Sequence, residues 1–336
     1  MNDESGRDLS IKALTAPFRN DEDLAAYHKY LAEGSVIGFT SYQSWPFYID
    51  NPYEDRYIFD HDHNYFEMVD AWCHCFDDEA GEFLVPGIDI SESDFVMVDY
   101  FTTSEEKTSD FVYVCLPDNE EDPQPDGWQA WNRNWDLAQR CFNRMGDLKG
   151  VLVGREKLDC PWNVTTTGFL EWNEYKDIVS KTRFLFVPNL HDASPRVITE
   201  ALAMNVPVLV NENILGGWKY VNGNTGRFFR DEWDFPMAVL DILTSHYEPR
   251  RWIEANYGRL PTGKRLRDFL AQHLKPENVR KQLSECEMVF FKCTELATAQ
   301  TARHSIASAQ KRVVAAPIVS VKCAGQMRLL KVIGLT

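Results

Sequence analysis

The chain has 336 residues, 44% of them hydrophobic and 13% aromatic, which suits two domains with real cores. Its formal net charge of −16 argues against a nucleic-acid partner, because phosphate binding needs a basic face. No run of about 18 apolar residues occurs, so no membrane span is predicted. In chain order, the first 101 residues are irregular. The spacing predicts a helix over 23–32 closed by Gly34, a strand over 35–40, an aromatic and Asp-rich loop over 47–62, a helix over 65–75 and a strand over 95–101. Residues 102–110 are polar and acidic and read as a linker.

From residue 111 the pattern changes. Short apolar runs at 111–116, 150–153, 184–187 and 206–210 read as buried strands, with a further short strand at 226–229. Between and after them, 131–145, 174–179, 194–204 and 232–247 carry helical spacing. Apolar strands alternating with amphipathic helices specify a doubly wound parallel sheet, an α/β Rossmann-like fold. Ligands of such sheets bind at the carboxyl ends of the strands, so the loops after Leu116, Val153, Val187 and Val210 are the places to look. Boundaries fall at 1–101 for a short N-terminal domain, 102–110 for the linker, 111–275 for the parallel-sheet domain and 276–336 for a C-terminal helix and tail. After Glu295 the tail has no Asp or Glu, while Arg303, Lys311, Arg312, Lys322, Arg328 and Lys331 make it basic. It reads as a poorly ordered extension.

The most informative stretch runs from Asn189 to Phe229. Ser194 is expected to be an N-cap and Pro195 the first helical residue. The helix start offers unpaired N–H groups and a dipole that attract phosphate. Glu200 lies about one and a half turns in, and Asp192 lies eight residues before it. Two carboxylates so placed suit hydrogen bonds from sugar and ribose hydroxyls. Gly216-Gly217 allows close backbone approach, with Asn213, Trp218 and Lys219 beside it. The bland alternatives are an Arg196–Glu200 surface ion pair and a plain glycine turn.

This segment resembles the donor-binding domain of GT-B glycosyltransferases, most closely the family 4 type with its E-x7-E signature. Asp192 and Glu200 stand at the two acidic positions, followed by Ala201, Pro207-Val208-Leu209-Val210, Gly216-Gly217 and Thr225-Gly226. Upstream, Gly87-Ile88-Asp89, Arg133-Asn134-Trp135-Asp136-Leu137, Leu152-Val153-Gly154 and Gly168-Phe169-Leu170 also resemble family motifs, over about half the chain. The resemblance implies a nucleotide-diphosphate sugar as donor, an unknown glycan, lipid or protein acceptor, and retaining transfer without a metal or cofactor. It assigns catalysis to Asp192, Glu200 and Arg133. It assigns donor binding to Ser194, Pro195, Arg196, Asn213, Gly216, Gly217, Trp218 and Lys219. Arg133 stands where the family has Lys, and is expected to neutralise charge growing on the diphosphate. A degenerate relative that only binds is the competing reading.

Three departures stand out. Asp replaces Glu at 192, which shortens its reach. Trp128 occupies the place of a family Arg, in a loop with five acidic residues, leaving Arg155, Lys219 or Arg227 to compensate. The N-terminal half shows only two or three strand candidates. Elsewhere, Asp60-His61-Asp62 matches a D-x-D metal motif, but Asp21-Glu22-Asp23 matches as well. His61 and His63 near Cys73, His74 and Cys75 lack a second spaced ligand pair, so no metal is expected. Eight scattered cysteines and a polar N-terminus without signal or transit character predict a reduced, cytoplasmic protein.

Overall fold

The computed structural model describes residues 1–18, 20–40, 45–46, 63–76, 84–116, 127–156 and 158–291. The loop around Asp60-His61-Asp62, most of the acidic loop before Trp128 and the basic tail lie outside these residues. In chain order the elements are β1 (Asn2–Asp3), β2 (Ile11–Leu14), α1 (Asp21–Glu33), β3 (Ser35–Phe39), β4 (Trp72–His74) and β5 (Gly87–Asp89). Then come β6 (Ser109–Val114), α2 (Trp128–Asn132), α3 (Trp135–Phe142), β7 (Gly150–Val153), β8 (Val164–Thr167), α4 (Trp172–Ser180), β9 (Thr182–Val187), α5 (Arg196–Ala203), β10 (Val208–Asn211) and β11 (Gly226–Phe229). The last are α6 (Phe235–Thr244), α7 (Pro249–Asn256), α8 (Arg259–His273), α9 (Glu277–Ser284) and β12 (Val289–Phe290).

The chain divides into two compact units. Among the described residues, one comprises those of 1–74, 84–90 and 263–291; the other comprises 75–76 and those of 91–262. The divisions therefore fall near 90 and within α8, rather than at 101 and 275, because the chain returns to the first unit through α8.

The first unit holds a parallel sheet in the order β2-β3-β4-β5 and an antiparallel ribbon of β1 with β12. Five strands, β1 to β5, thus stand before residue 102, where two or three were expected. Residues 65–75 are not one helix: a single 3-10 turn over Tyr65–Met68 precedes β4. Trp72 and Cys73 are fully buried, and their backbone is held by β3 and β5. Gly38 in β3 is obligatory, because a Cβ there would lie 2.2 Å from the Trp72 ring.

The second unit holds a six-stranded, all-parallel sheet in the order β11-β10-β9-β6-β7-β8. Alternation along the strands sorts its two cores. Val112, Leu185, Val187, Val208 and Val210 face an aliphatic layer with Ile198, Leu202 and Ile253. Phe111, Tyr113, Phe184, Phe186 and Phe229 face an aromatic layer with Trp135, Phe142 and Phe235. Each fully buried side chain of this size contributes roughly 1.5–3 kcal/mol, so the sheet is fixed from both faces.

Two local expectations change here. Residues 95–101 form no strand; two 3-10 turns, Glu92–Phe95 and Val98–Tyr100, take their place. The first is set by a capping box between Ser91 and Asp94. The helix expected over 131–145 is broken at Arg133 and Asn134, with Asn134 in the left-handed region at φ 53°. Asn tolerates that conformation, and its Nδ2 donates to Pro188 O at 3.1 Å.

Candidate active site

The strand order reverses at β6. From there the chain runs outward through β7 and β8 on one side and through β9, β10 and β11 on the other. The crevice at the carboxyl ends of β6 and β9 is the topological switch point, where doubly wound sheets bind ligands. What surrounds it is the loop after β9, the start of α5, the turn between α2 and α3, and the glycine turn after β10.

The expected catalytic residues Arg133 and Asp192 meet at this point. Nη1 of Arg133 donates to Oδ2 of Asp192, and the side chains are 7% and 3% exposed. Asn189 Nδ2 donates to the same carboxylate oxygen at 3.1 Å. Tyr113 OH donates to Arg133 O at 2.9 Å, which fastens the α2–α3 turn over β6. Leu190 N donates to Asn132 O at 3.4 Å, so the turn and the loop after β9 are tied by backbone as well. On the same loop the His191 ring stacks on Trp131, with centroids 3.8 Å apart and planes 9° from parallel. Burial lowers the His191 pKa, favouring the neutral imidazole.

Glu200 lies half-buried within α5, one turn beyond its first residue Arg196. The helix begins at Arg196 rather than Pro195, and Pro195 takes the N-cap position without a side-chain cap. Ser194 does not cap it; its Oγ shares a hydrogen bond of 2.9 Å with Ser93 Oγ. Arg196 is half-buried and opposes the burial that raises the Glu92 pKa.

The glycine pair is dictated by packing against the same loop. Gly216 N donates to Asp192 O at 3.1 Å, and a Cβ at Gly216 would lie 2.0 Å from Ala193 O. Gly217 has φ 85°, and a Cβ there would lie 2.4 Å from Pro195 Cγ. Asn213 is exposed, with its backbone N donating to Asn211 Oδ1 at 2.9 Å. Trp218 is half-buried beside Gly217.

Lys219 is directed elsewhere. Its Nζ bonds Asp94 Oδ2 at 2.8 Å, with side chains 5% and 0% exposed. Tyr220 OH donates to Asp94 Oδ1 at 3.0 Å, and Ser91 N donates to Oδ2 at 2.5 Å. Of the other compensating cations, Arg227 is exposed and pairs with Asp241 at 2.5 Å. Arg155 is buried at the end of β7 and donates from Nη2 to Leu116 O at 3.0 Å and to Cys115 Sγ at 3.5 Å. Burial raises the Cys115 thiol pKa, and Arg155 and Arg133 pull it back part of the way. Arg155 therefore reaches the end of β6, where the charge of Arg133 is also felt.

Asn189, Trp131, His191 and Asp94 were not among the site residues expected from sequence. Only Asp94 had a local signal, the Ser91-x-x-Asp94 capping box; the rest depend on which loops the fold brings together. Among the described residues no group of three His, Cys, Asp or Glu side chains is placed to hold a metal ion. His63 packs edge-on against Phe18 at 5.5 Å, and His74, Cys73 and Cys75 are buried.

No protein-family model and no curated relative matches the chain in sequence. Solved structures do match in fold. The lipopolysaccharide outer core galactosyltransferase WaaB superposes with a TM-score of 0.55 at 12% identity, covering 78% of this chain and 75% of WaaB. HepE of Anabaena, solved in complex with UDP, gives 0.51 at 11% identity, with 78% and 79% covered. This is the GT-B fold of glycosyltransferases. TarM gives 0.51 at 12% identity over 74% of this chain, and this GT-B chain spans about half of TarM's length, 52%. Among the described residues no helix is long and apolar enough to cross a membrane.

Proposed function

We propose that the protein is a glycosyltransferase that takes a nucleotide-diphosphate sugar as donor. The supporting observation is the meeting of Arg133 and Asp192 at the switch point of a GT-B parallel sheet, beside the start of α5. In this reading Arg133 faces the diphosphate and stabilises the negative charge that grows as the glycosidic bond breaks. Asp192 accepts a hydroxyl of the transferred sugar, and Glu200 accepts the ribose hydroxyls. The start of α5 presents backbone N–H groups to the phosphates. The turn at Gly216 and Gly217 holds the loop that carries Asp192. Transfer is retaining and needs no metal, and the acceptor is a glycan, lipid or protein. The protein acts in the cytoplasm.

A screen of UDP-, GDP- and ADP-sugars for nucleotide release tests this, run on wild type and on Glu200→Ala. Turnover is expected with at least one donor in wild type and is lost in the variant. An active variant with unchanged donor affinity removes Glu200 from the site. A second reading, a binding protein that retains the fold without turnover, is favoured by one observation. Two cations expected at the donor, Arg133 and Lys219, are both paired with carboxylates. Donor binding that raises the melting temperature without nucleotide release would establish it.

A further inference from the structure

Arg133 leaves the break between α2 and α3, and Asp192 leaves the loop after β9, so the two approach from opposite sides of the switch point. Their contact is a single N–H···O bond through Nη1, not the two-pronged fork that Arg makes with a carboxylate at full strength. Asn189 Nδ2 donates to the same Oδ2 at 3.1 Å, so the carboxylate has a second holder that does not move with the guanidinium. The backbone of Asp192 is fixed separately, through Gly216 N at 3.1 Å from its carbonyl.

We propose that Asp192 is an internal counter-ion which a nucleoside diphosphate displaces from Arg133, so that arrival of the donor frees the carboxylate to take a hydroxyl of the sugar. The proposal rests on the glycosyltransferase reading and adds an order of events to it. Before the donor arrives, Asp192 neutralises Arg133 and spares the site a buried lone cation. When the diphosphate takes the guanidinium, Asn189 keeps Asp192 in place. Asn189 is thus a positioning residue, acting through Asp192. The residue that a simple account treats as a pure sugar contact therefore competes with the donor's own phosphates.

The consequence runs against the usual expectation for a binding-site residue: removing the charge of Asp192 tightens nucleotide binding. The test is calorimetric titration of UDP, GDP and ADP, and of the matching nucleosides, into wild type, Asp192→Asn, Asp192→Ser and Arg133→Gln. Circular dichroism and thermal melting of each variant accompany the titrations. Asp192→Ser keeps an acceptor for Asn189 and serves should Asp192→Asn fold poorly. The expected result is at least fivefold tighter binding of the preferred diphosphate by either Asp192 variant, with nucleoside affinity unchanged. Arg133→Gln is expected to lose at least tenfold. A loss of packing alone would weaken nucleoside and nucleotide alike. Equal or weaker diphosphate binding by folded Asp192 variants, with wild type binding normally, overturns the counter-ion proposal and leaves the transferase reading standing. Failure of every nucleotide to bind wild type and both Asp192 variants overturns the donor reading and the proposal together.

Discussion

Asp94→Asn is the sharpest test of how the site is held. Asp94 is fully buried and accepts from Lys219 Nζ at 2.8 Å, Tyr220 OH at 3.0 Å and Ser91 N at 2.5 Å. The amide keeps the shape but has one acceptor oxygen for three donors. It also takes a full negative charge away from the Lys219 ammonium, whose side chain is 5% exposed. Breaking a buried pair by removing one partner costs about 3–5 kcal/mol. With a urea slope of about 2 kcal/mol/M, the unfolding midpoint falls by roughly 1.5–2.5 M. Lys219→Met should cost less, because Asp94 retains two hydrogen-bond donors, Tyr220 and Ser91. The double variant should recover much of the loss, with a coupling of at least about 1 kcal/mol in the cycle. Tryptophan fluorescence follows the transition, since Trp218 adjoins Lys219. A single-variant loss below about 1 kcal/mol, with additivity in the cycle, would refute the buried-pair account.

Gly216→Ala should destabilise by about 1–3 kcal/mol, because its Cβ meets the Ala193 carbonyl, a backbone atom that cannot swing away. The urea midpoint reads it, and an unchanged midpoint contradicts the geometry. Burial lowers the His191 pKa, so its contribution to stability is present above the ordinary value of 6.5 and is lost as pH falls below it. Melting temperatures from pH 7.5 to 5.5 should therefore drop more steeply for wild type than for His191→Gln. Burial also raises the thiol pKa of Cys115 and Cys141. Peptide mass spectrometry after iodoacetamide treatment at pH 8 should find both unmodified in the folded protein and alkylated in urea.

Sequence carried the second unit well because its strands, even those of four residues, are apolar enough to stand out between helices. Five of its six strands lie at or within two residues of the expected spans; β8, Val164–Thr167, did not, since Thr-rich residues give no apolar run. The first unit was harder. β2, β4 and β5 have three or four residues each and lie among polar or aromatic neighbours, so neither period 2 nor period 3.6 can show. At the site, the resemblance singled out Arg133 and Asp192, which the structure brings into contact, but nothing in the sequence pointed to Asn189, which donates to the same carboxylate. That Asp94 takes Lys219, 125 positions away, follows from the packing of the Glu92–Phe95 turn in three dimensions. The glycine pair was legible as a need for glycine. Its observed reason is the Ala193 carbonyl beside Gly216 and the Pro195 ring beside Gly217.

The two buried ion pairs share one chemistry and differ in what an incoming anion can do to them. Asp94 is saturated by an ammonium, a hydroxyl and an amide, all from its own unit, and Lys219 is enclosed against the Tyr220 and Tyr257 rings at 5.3 and 5.9 Å. Arg133 meets Asp192 through one nitrogen, at the carboxyl ends of β6 and β9. Two unit charges about 4 Å apart at an effective dielectric near 20 interact by about 4 kcal/mol. A diphosphate carries at least one more negative charge than a carboxylate. The extra charge strengthens the attraction to Arg133 on that scale and is set against the about 3–5 kcal/mol of parting buried Asp192 from its cation, while the Asn189 bond, worth about 1 kcal/mol, stays with Asp192. In a chain of net charge −16, a lone cation at the switch point would attract any small anion. A cation already covered by its own acid yields only to a ligand more highly charged than that acid, and selects a diphosphate over a monovalent anion.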